Sequence, residues 1–215
     1  MEAPRHLRSS RAERLAAILI AVGTIQFIVA MGVVQVAYPG YSLLNNYISD
    51  LGNTTASPWH VVANVSVMVL GILAFIGLLL LWGAFPAGPT RPIGLGLLLV
   101  ASVSAILVGL YPENVNPAAH DTFSLLVFLP GGVALATLSF GMRTDSAWAK
   151  LRWPSLALGL INLAALAYYV PTQANNSTVF PGLVERLIVF PILIWALAVA
   201  ALVLLLPRQP HLAVS

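Results

Sequence analysis

Residues 15–37 read LAAILIAVGTIQFIVAMGVVQVA, 23 consecutive residues without one ionisable side chain. An α-helix rises about 1.5 Å per residue, so about 20 apolar residues cross the roughly 30 Å hydrocarbon core of a bilayer. That core offers the backbone no hydrogen-bond partners, and a helix satisfies its polar groups internally. The stretch therefore predicts a membrane-spanning helix.

The rest of the chain has the same character. Hydrophobic residues make up 59% of the 215 residues and charged residues 8%, whereas a soluble domain has about 25% charged residues. Five further apolar stretches of sufficient length follow the first. The predicted fold is all-α, a polytopic membrane protein with six transmembrane helices as three hairpins. The predicted spans are residues 15–37, 58–82, 93–111, 117–142, 154–170 and 183–206.

The distribution of basic residues predicts the orientation. Nine of the ten fall on one side if the spans alternate, and the positive-inside rule makes that side cytoplasmic. They are Arg5, Arg8, Arg11, Arg14, Arg91, Arg143, Lys150, Arg152 and Arg208. We therefore expect a basic cytoplasmic segment (1–14), a transmembrane domain (15–206) and a short, disordered cytoplasmic tail (207–215).

Composition also limits the chemistry. The chain has no cysteine, which excludes disulfides, thiolate nucleophiles and Cys-ligated metals. Its net charge is +3, but the basic residues lie in short loops rather than in one patch, so no nucleic-acid partner is predicted. The bilayer is the expected partner, and a homo-oligomer or a membrane-protein partner is left open. No cofactor is predicted.

Seven further ionisable residues cluster at the predicted outer side. They are Asp50, His60, Glu113, His120, Asp121, Glu185 and Arg186. None lies at a helix midpoint, which removes the usual sign of a proton-coupled transporter. Three descending helices are expected to begin with Pro58, Pro117 and Pro181, with Ser57 and Asn116 as N-caps of the first two. Any up-and-down bundle would also place these three starts on one side.

The segment YSLLNNYISDLG, residues 41–52, follows the first span. Read as a short helix, it is amphipathic: it stacks Asn46 on Asp50, and Gly52 ends it in a left-handed conformation. It would either form a structural cap over the bundle or turn Asp50 inward as an acceptor, base or counter-ion.

Arg186 needs a partner because it lies near a helix start, where positive charge is unfavourable. The candidates are Asp50, Glu113 and Asp121, or an anionic ligand. Its adjacent residue Glu185 diverges by about 100° on a helix and does not face it. Snorkelling to phosphate headgroups is the alternative.

Three elements together carry a family resemblance: the Ser49-Asp50-Leu51-Gly52 run, the Pro112-Glu113 turn with His120 after it, and the run GLVER at residues 182–186. They resemble the membrane family catalogued as domain of unknown function 998, with similarity from about residue 15 to residue 206. The resemblance implies a six-helix prokaryotic membrane protein, multi-pass in the plasma membrane, with polar residues near one face. Tyr111 stands where phenylalanine is expected. No activity comes with the resemblance.

Three functional hypotheses follow. The first is a binding or scaffold module whose extracytoplasmic pocket holds a lipid headgroup, a small anionic amphiphile or a partner helix; Arg186, Ser49, Asn46, His60, Glu113 and Asp121 are its candidate binding residues. Ala101, Ala105 and Gly109 would allow close packing of the third helix.

The second hypothesis is a small channel or transporter, for which Pro130-Gly131-Gly132 and Pro191 could break their helices.

The third hypothesis is an intramembrane enzyme that acts on a lipid or isoprenoid. His120 would be the acid/base, oriented by Asp50 or Glu113, with Arg186 holding an anionic group. Glu185 is a further candidate catalytic residue. Ser49 is a conceivable nucleophile. A zinc site would combine His60 and His120 with Asp50 or Glu185, but no HxxxH or HExxH spacing is present, so no metal is predicted.

Overall fold

A computed structural model of the chain describes residues 8–208, and within this range it contains six α-helices and no β-strand. The helices are α1 Arg11–Ala37, α2 His60–Leu81, α3 Thr90–Leu110, α4 Pro117–Met142, α5 Ala149–Ala174 and α6 Pro181–Leu205. The first half of the predicted basic segment, with Arg5, and residues 209–215 of the predicted tail lie outside the described residues.

All six helices are long and apolar enough to cross a membrane, which confirms the predicted class. The observed α5 is longer than predicted at both ends, because Pro154 and Pro171 lie inside it. Proline is tolerated inside membrane helices when neighbouring groups satisfy the freed carbonyls. Proline was therefore a poor boundary signal for this helix.

Helices that are consecutive in the chain pack side by side, and α1 contacts α6 to close the ring. Helix α4 also touches α6 directly, so α5 lies outside that pair. We call the end with the α1–α2, α3–α4 and α5–α6 loops the loop end, and the opposite end the termini end. At the termini end the Ser9 amide donates to the Pro207 carbonyl (2.9 Å) and Arg14 donates to the Leu204 carbonyl (2.9 Å).

Small residues let the helices approach closely. A Cβ on Gly71 would lie 2.6 Å from the Ser102 carbonyl oxygen, and one on Gly109 would lie 2.5 Å from that of Asn64. Ala101, Ala105 and Gly109 are all buried, as predicted for a closely packed third helix. Lipid is as apolar as leucine, so this packing must come from close contact.

Two of the three predicted helix starts are confirmed. Pro117 and Pro181 are the first residues of α4 and α6, and Asn116 caps α4 by accepting from the Ala119 amide (3.2 Å). The prediction for α2 was wrong: it begins at His60 with Trp59 as its N-cap residue. The Ser57 carbonyl accepts hydrogen bonds from the amide and the ring Nδ1 of His60, so residues 57–60 form a turn before the helix.

The proline-containing segments do not break their helices. Helix α4 continues through Pro130 and α6 through Pro191. A fully buried Asn162 on α5 donates to the Ile188 carbonyl (2.6 Å), and its Oδ1 lies against Gly132, where a Cβ would be 2.0 Å away. One buried amide therefore connects α4, α5 and α6 in mid-bundle.

Candidate functional site

Residues 41–52 form two successive turns rather than one helix. The Asn46 amide donates to the Ser42 carbonyl (2.8 Å), and a 3₁₀ turn follows at Ser49–Gly52. Gly52 ends this turn as predicted, but not in a left-handed conformation, since the positive-φ glycines among residues 8–208 are Gly40 and Gly88. The need for glycine at 52 is spatial: a Cβ would lie 2.3 Å from the Asn64 Oδ1.

Arg186 fastens this loop to α6. Its guanidinium donates to the hydroxyl of Tyr41 (2.7 Å) and to the carbonyls of Asn46 (3.0 Å) and Gly182 (2.8 Å). The Tyr41 hydroxyl in turn donates to the Tyr47 carbonyl (2.7 Å). Burial raises the pKa of Tyr41 to about 12, so the hydroxyl keeps this proton. The predicted carboxylate partners of Arg186 were wrong, because these three acceptors are uncharged.

The first turn of α6 lies directly under the loop. The Leu183 amide donates to the Leu44 carbonyl (3.2 Å), and a Cβ on Gly182 would be 2.1 Å from the Asn46 carbonyl oxygen. The buried carboxylate of Glu185 accepts the Ile48 amide. The start of α6 therefore satisfies one loop carbonyl with the N–H of Leu183 and one loop amide with the carboxylate of Glu185.

Asp50 organises the loop from within. Its Oδ2 accepts the Asn46 side-chain amide and the Tyr47 backbone amide, both at 2.9 Å, and the Asn46 contact confirms the predicted stacking. Glu113, in the α3–α4 loop, accepts the Asn53 side-chain amide (3.3 Å). Burial raises the pKa of the Glu113 carboxyl; a nearby Ser49 hydroxyl opposes the shift and the charge of Asp50 adds to it.

An elongated cavity lies along the bundle axis below this loop. It has a volume of about 170 Å³ and is lined by residues of α1, α2, α3, α4 and α6, most of them aliphatic. On α6 the lining runs from Glu185 to Val199, which corresponds to about 20 Å of helix. We call it the bundle cavity.

Most polar residues of the cavity lining lie near the loop end: Ser49, Asn64, His120, Ser124 and Glu185. Thr24 and Ser102 line it further down, where their hydroxyls donate to carbonyls of their own helices (both 2.8 Å). The His120 Nδ1 lies 2.9 Å from the Tyr111 carbonyl oxygen. A carbonyl only accepts, so Nδ1 carries the hydrogen and the Nε2 of a neutral ring keeps its lone pair. The bundle cavity thus combines a mostly aliphatic lining with hydrogen-bonding groups concentrated at one end.

Buried aromatic side chains pack beside the cavity on its termini side. Trp195 lines the cavity, donates to the Ser155 hydroxyl (2.9 Å) and stacks on Phe85 with ring centroids 6.2 Å apart. Phe85 packs on Trp148 at 4.2 Å, and all three rings are buried. A continuous water path to this end would have to displace them.

The structure brings together some of the predicted site residues. Ser49, His120 and Glu185 line the bundle cavity. The others lie outside its lining: Asp50, Asn46 and Arg186 form the loop network, Glu113 lies in the α3–α4 loop, His60 begins α2 and Asp121 is exposed on α4.

The described residues do not provide the set of ligands that the zinc alternative requires. Within residues 8–208, no three His, Asp or Glu side chains are grouped so that they could hold a metal ion. His60 bonds to the Ser57 carbonyl and does not join His120 at the cavity.

Sequence reasoning missed two contributors to the site. The sequence places Tyr41 only at the start of the amphipathic segment 41–52, whereas in the structure its hydroxyl accepts from Arg186. Asn64 was not considered, yet it lines the cavity and donates to the Gly52 carbonyl (2.9 Å). A polar residue on an otherwise apolar helix face was the available signal for Asn64.

The six membrane-spanning helices and the internal cavity define a small multi-pass membrane protein. The chain belongs to the family described as Protein of unknown function (DUF998), whose model matches residues 8–202. This confirms the resemblance of the loop and GLVER elements. No match was found among curated proteins or among solved structures.

Proposed function

We propose that the protein binds the hydrocarbon chain of an amphiphilic molecule in the bundle cavity, with the polar head of that molecule at the loop end. The observation that carries the proposal is the shape and chemistry of the cavity, which is elongated, mostly apolar along its length and most polar at the loop end. Membrane amphiphiles have the same arrangement of a chain and a head.

The dimensions support a chain rather than a folded or bulky molecule. Apolar cavities of roughly 150 Å³ stay dry and admit small hydrocarbons, and the bundle cavity is slightly larger. Its length along α6, about 20 Å, exceeds what a compact ring would use. The predicted orientation would place the head group on the extracytoplasmic side.

The binding hypothesis is better supported than the transport hypothesis. Phe85, Trp148 and Trp195 pack together on the termini side of the cavity, and α4 and α6 are continuous through the prolines that the transport hypothesis needed as breaks. A partner helix is a weaker candidate than a small molecule, because the apolar cavity lies inside the bundle.

A cavity-filling variant tests the proposal. Ala74 lines the bundle cavity on α2, so Ala74→Leu would place extra carbon atoms inside it. Ala157 is exposed on α5, which contributes no lining residue, so Ala157→Leu is a matched control on the lipid-facing surface. The readout is mass spectrometry of amphiphiles retained by the protein after purification from its host membrane.

We expect one class of single-chain amphiphile to be retained by wild type and by Ala157→Leu, and to fall at least about fivefold in Ala74→Leu. Unchanged or raised thermal stability would show that Ala74→Leu is folded, as cavity filling commonly adds about 0.5–2 kcal/mol. Equal retention by all three proteins would place the molecules on the outer surface and refute the proposal.

An intramembrane enzyme is the second candidate. One observation favours it: His120, with Nδ1 fixed by the Tyr111 carbonyl, and Glu185 line the same cavity, as an acid–base pair would. Incubation of host lipid extract with wild type should then produce a chemically changed lipid that His120→Gln does not produce. Identical lipid profiles would leave binding as the function.

A further inference from the structure

The polar end of the bundle cavity presents acceptors. The Glu185 Oε2 takes the Ile48 amide, and the Oε1 has no hydrogen bond to any residue in the range 8–208. The His120 Nδ1 is committed to the Tyr111 carbonyl, which leaves the Nε2 lone pair. Both residues line the cavity.

The cavity lining has one formally charged side chain, and it is acidic. Of the Asp, Glu, Lys and Arg side chains in residues 8–208, only that of Glu185 lines the cavity. Arg186, which the sequence suggested as an anion-binding group, instead donates to Tyr41, Asn46 and Gly182. A phosphate or carboxylate head would therefore face the Glu185 carboxylate in surroundings that strengthen repulsion, while the nearby Arg186 lies outside the lining and donates to other acceptors.

From this arrangement we propose that the ligand's head group is an uncharged or cationic hydrogen-bond donor, an alcohol or an amine, which donates to Glu185 and His120. The inference rests on the proposed binding function and names the class of molecule. It excludes fatty acids and phospholipid-type phosphate heads as the preferred ligands. The Ser49 and Ser124 hydroxyls can donate or accept and so fit either head.

Three probes of equal chain length test the inference: dodecanol, dodecylamine and dodecanoic acid. Each competes with a photoreactive dodecanol analogue for labelling of the full-length protein in lipid nanodiscs at about pH 8.5, where carboxyl groups are ionised and an amine probe is still protonated. We expect the alcohol and the amine each to compete about tenfold or more better than the acid, because the acid brings a like charge against Glu185 and a difference of about 1.4 kcal/mol is tenfold.

Glu185→Gln removes the negative charge and keeps an oxygen for the Ile48 amide. We expect this variant to bind dodecylamine about tenfold more weakly than wild type, and dodecanol to be weakened less, because the alcohol carries no charge to pair with Glu185. A collapsed cavity would weaken both ligands equally, so a larger loss for the amine reports on the charge. Unchanged amine affinity in this variant would overturn the role of Glu185.

The outcomes separate this inference from the binding function. If dodecanoic acid competes as well as or better than the other two in wild type, the head-group assignment is wrong while the cavity still binds chains. If none of the three competes and the analogue labels only lipid-facing residues, the binding function itself fails. The wild-type comparison alone decides between these results, whatever the stability of the variant.

Discussion

Arg186 shows how a charged side chain near a helix start can serve the fold without an ion pair. Positive charge is disfavoured at a helix N-terminus, but here the guanidinium reaches past the first turn of α6 to oxygens of the α1–α2 loop. Tyr41 is central because its hydroxyl accepts from Arg186 and donates to the Tyr47 carbonyl. The arginine therefore fixes the loop above the cavity.

Removing the Tyr41 hydroxyl should weaken this network. We expect Tyr41→Phe to lower the free energy of unfolding by about 1.5–3 kcal/mol, because a hydrogen bond to a charged group is lost. Reversible unfolding in mixed SDS micelles measures the change. Tyr38→Phe is the control: the Tyr38 ring lies 5.5 Å from the Tyr41 ring, and its hydroxyl has no hydrogen bond to the part of the chain described. Equal effects of both substitutions would contradict the assignment.

Glu113 should make stability depend on pH. Its pKa is raised above the ordinary value of 4.5, chiefly by burial, so the folded protein holds this proton more tightly than the unfolded chain. Its contribution is fully present below about pH 4.5 and is lost as pH rises through the folded pKa. Wild type should therefore lose stability relative to Glu113→Gln across this range, measured by unfolding at a series of pH values. Parallel pH profiles would show that Glu113 titrates normally.

At the scale of elements, the decisive contact is between the α1–α2 loop and the start of α6. Gly182 lets the helix approach the Asn46 carbonyl, Leu183 donates to Leu44, and Glu185 accepts the Ile48 amide. The loop is thereby held over the polar end of the cavity by groups of a helix more than a hundred residues away in the chain.

A methyl group at position 182 should separate these elements. The added Cβ would lie 2.1 Å from the Asn46 carbonyl oxygen, so we expect Gly182→Ala to destabilise the protein by about 1–3 kcal/mol, as overpacking does. Chymotrypsin should also cleave faster after Tyr41 and Tyr47. Gly96→Ala in α3, where a Cβ meets nothing within 4 Å, should be neutral or slightly stabilising. Slow cleavage of both variants would show that the contact is dispensable.

The sequence predicted the elements better than their contacts. Span length and hydropathy identified six helices, and capping chemistry identified Asn116 correctly, because both are local properties. The helical reading of residues 41–52 and the carboxylate partner for Arg186 were wrong, because the loop takes its conformation from α6. Ser49, His120 and Glu185 could be assigned to one end of the bundle, but only the packing of five helices shows that they share a cavity.

For the whole molecule, the orientation in the membrane remains a prediction from basic residues. The chain has no cysteine, so single cysteines can be labelled without background. Ala56 and Ala87 are exposed at the loop end and the termini end, respectively. We expect a membrane-impermeant maleimide to label Ala56→Cys in intact cells and Ala87→Cys only after permeabilisation. The reverse pattern would put the termini outside and the polar end of the cavity in the cytoplasm.

Photolabelling in native membranes tests the central claim, that the bundle cavity holds a hydrocarbon chain, most directly. A dodecanol analogue with a diazirine at the chain terminus is activated in membranes that contain the wild-type protein, and the labelled residues are mapped by mass spectrometry. We predict labels on cavity-lining residues such as Val127, Val189 and Ile192, reduced by excess dodecanol. Labels restricted to lipid-facing residues such as Ile25, Ile161 and Ile194, unaffected by competitor, would contradict the account.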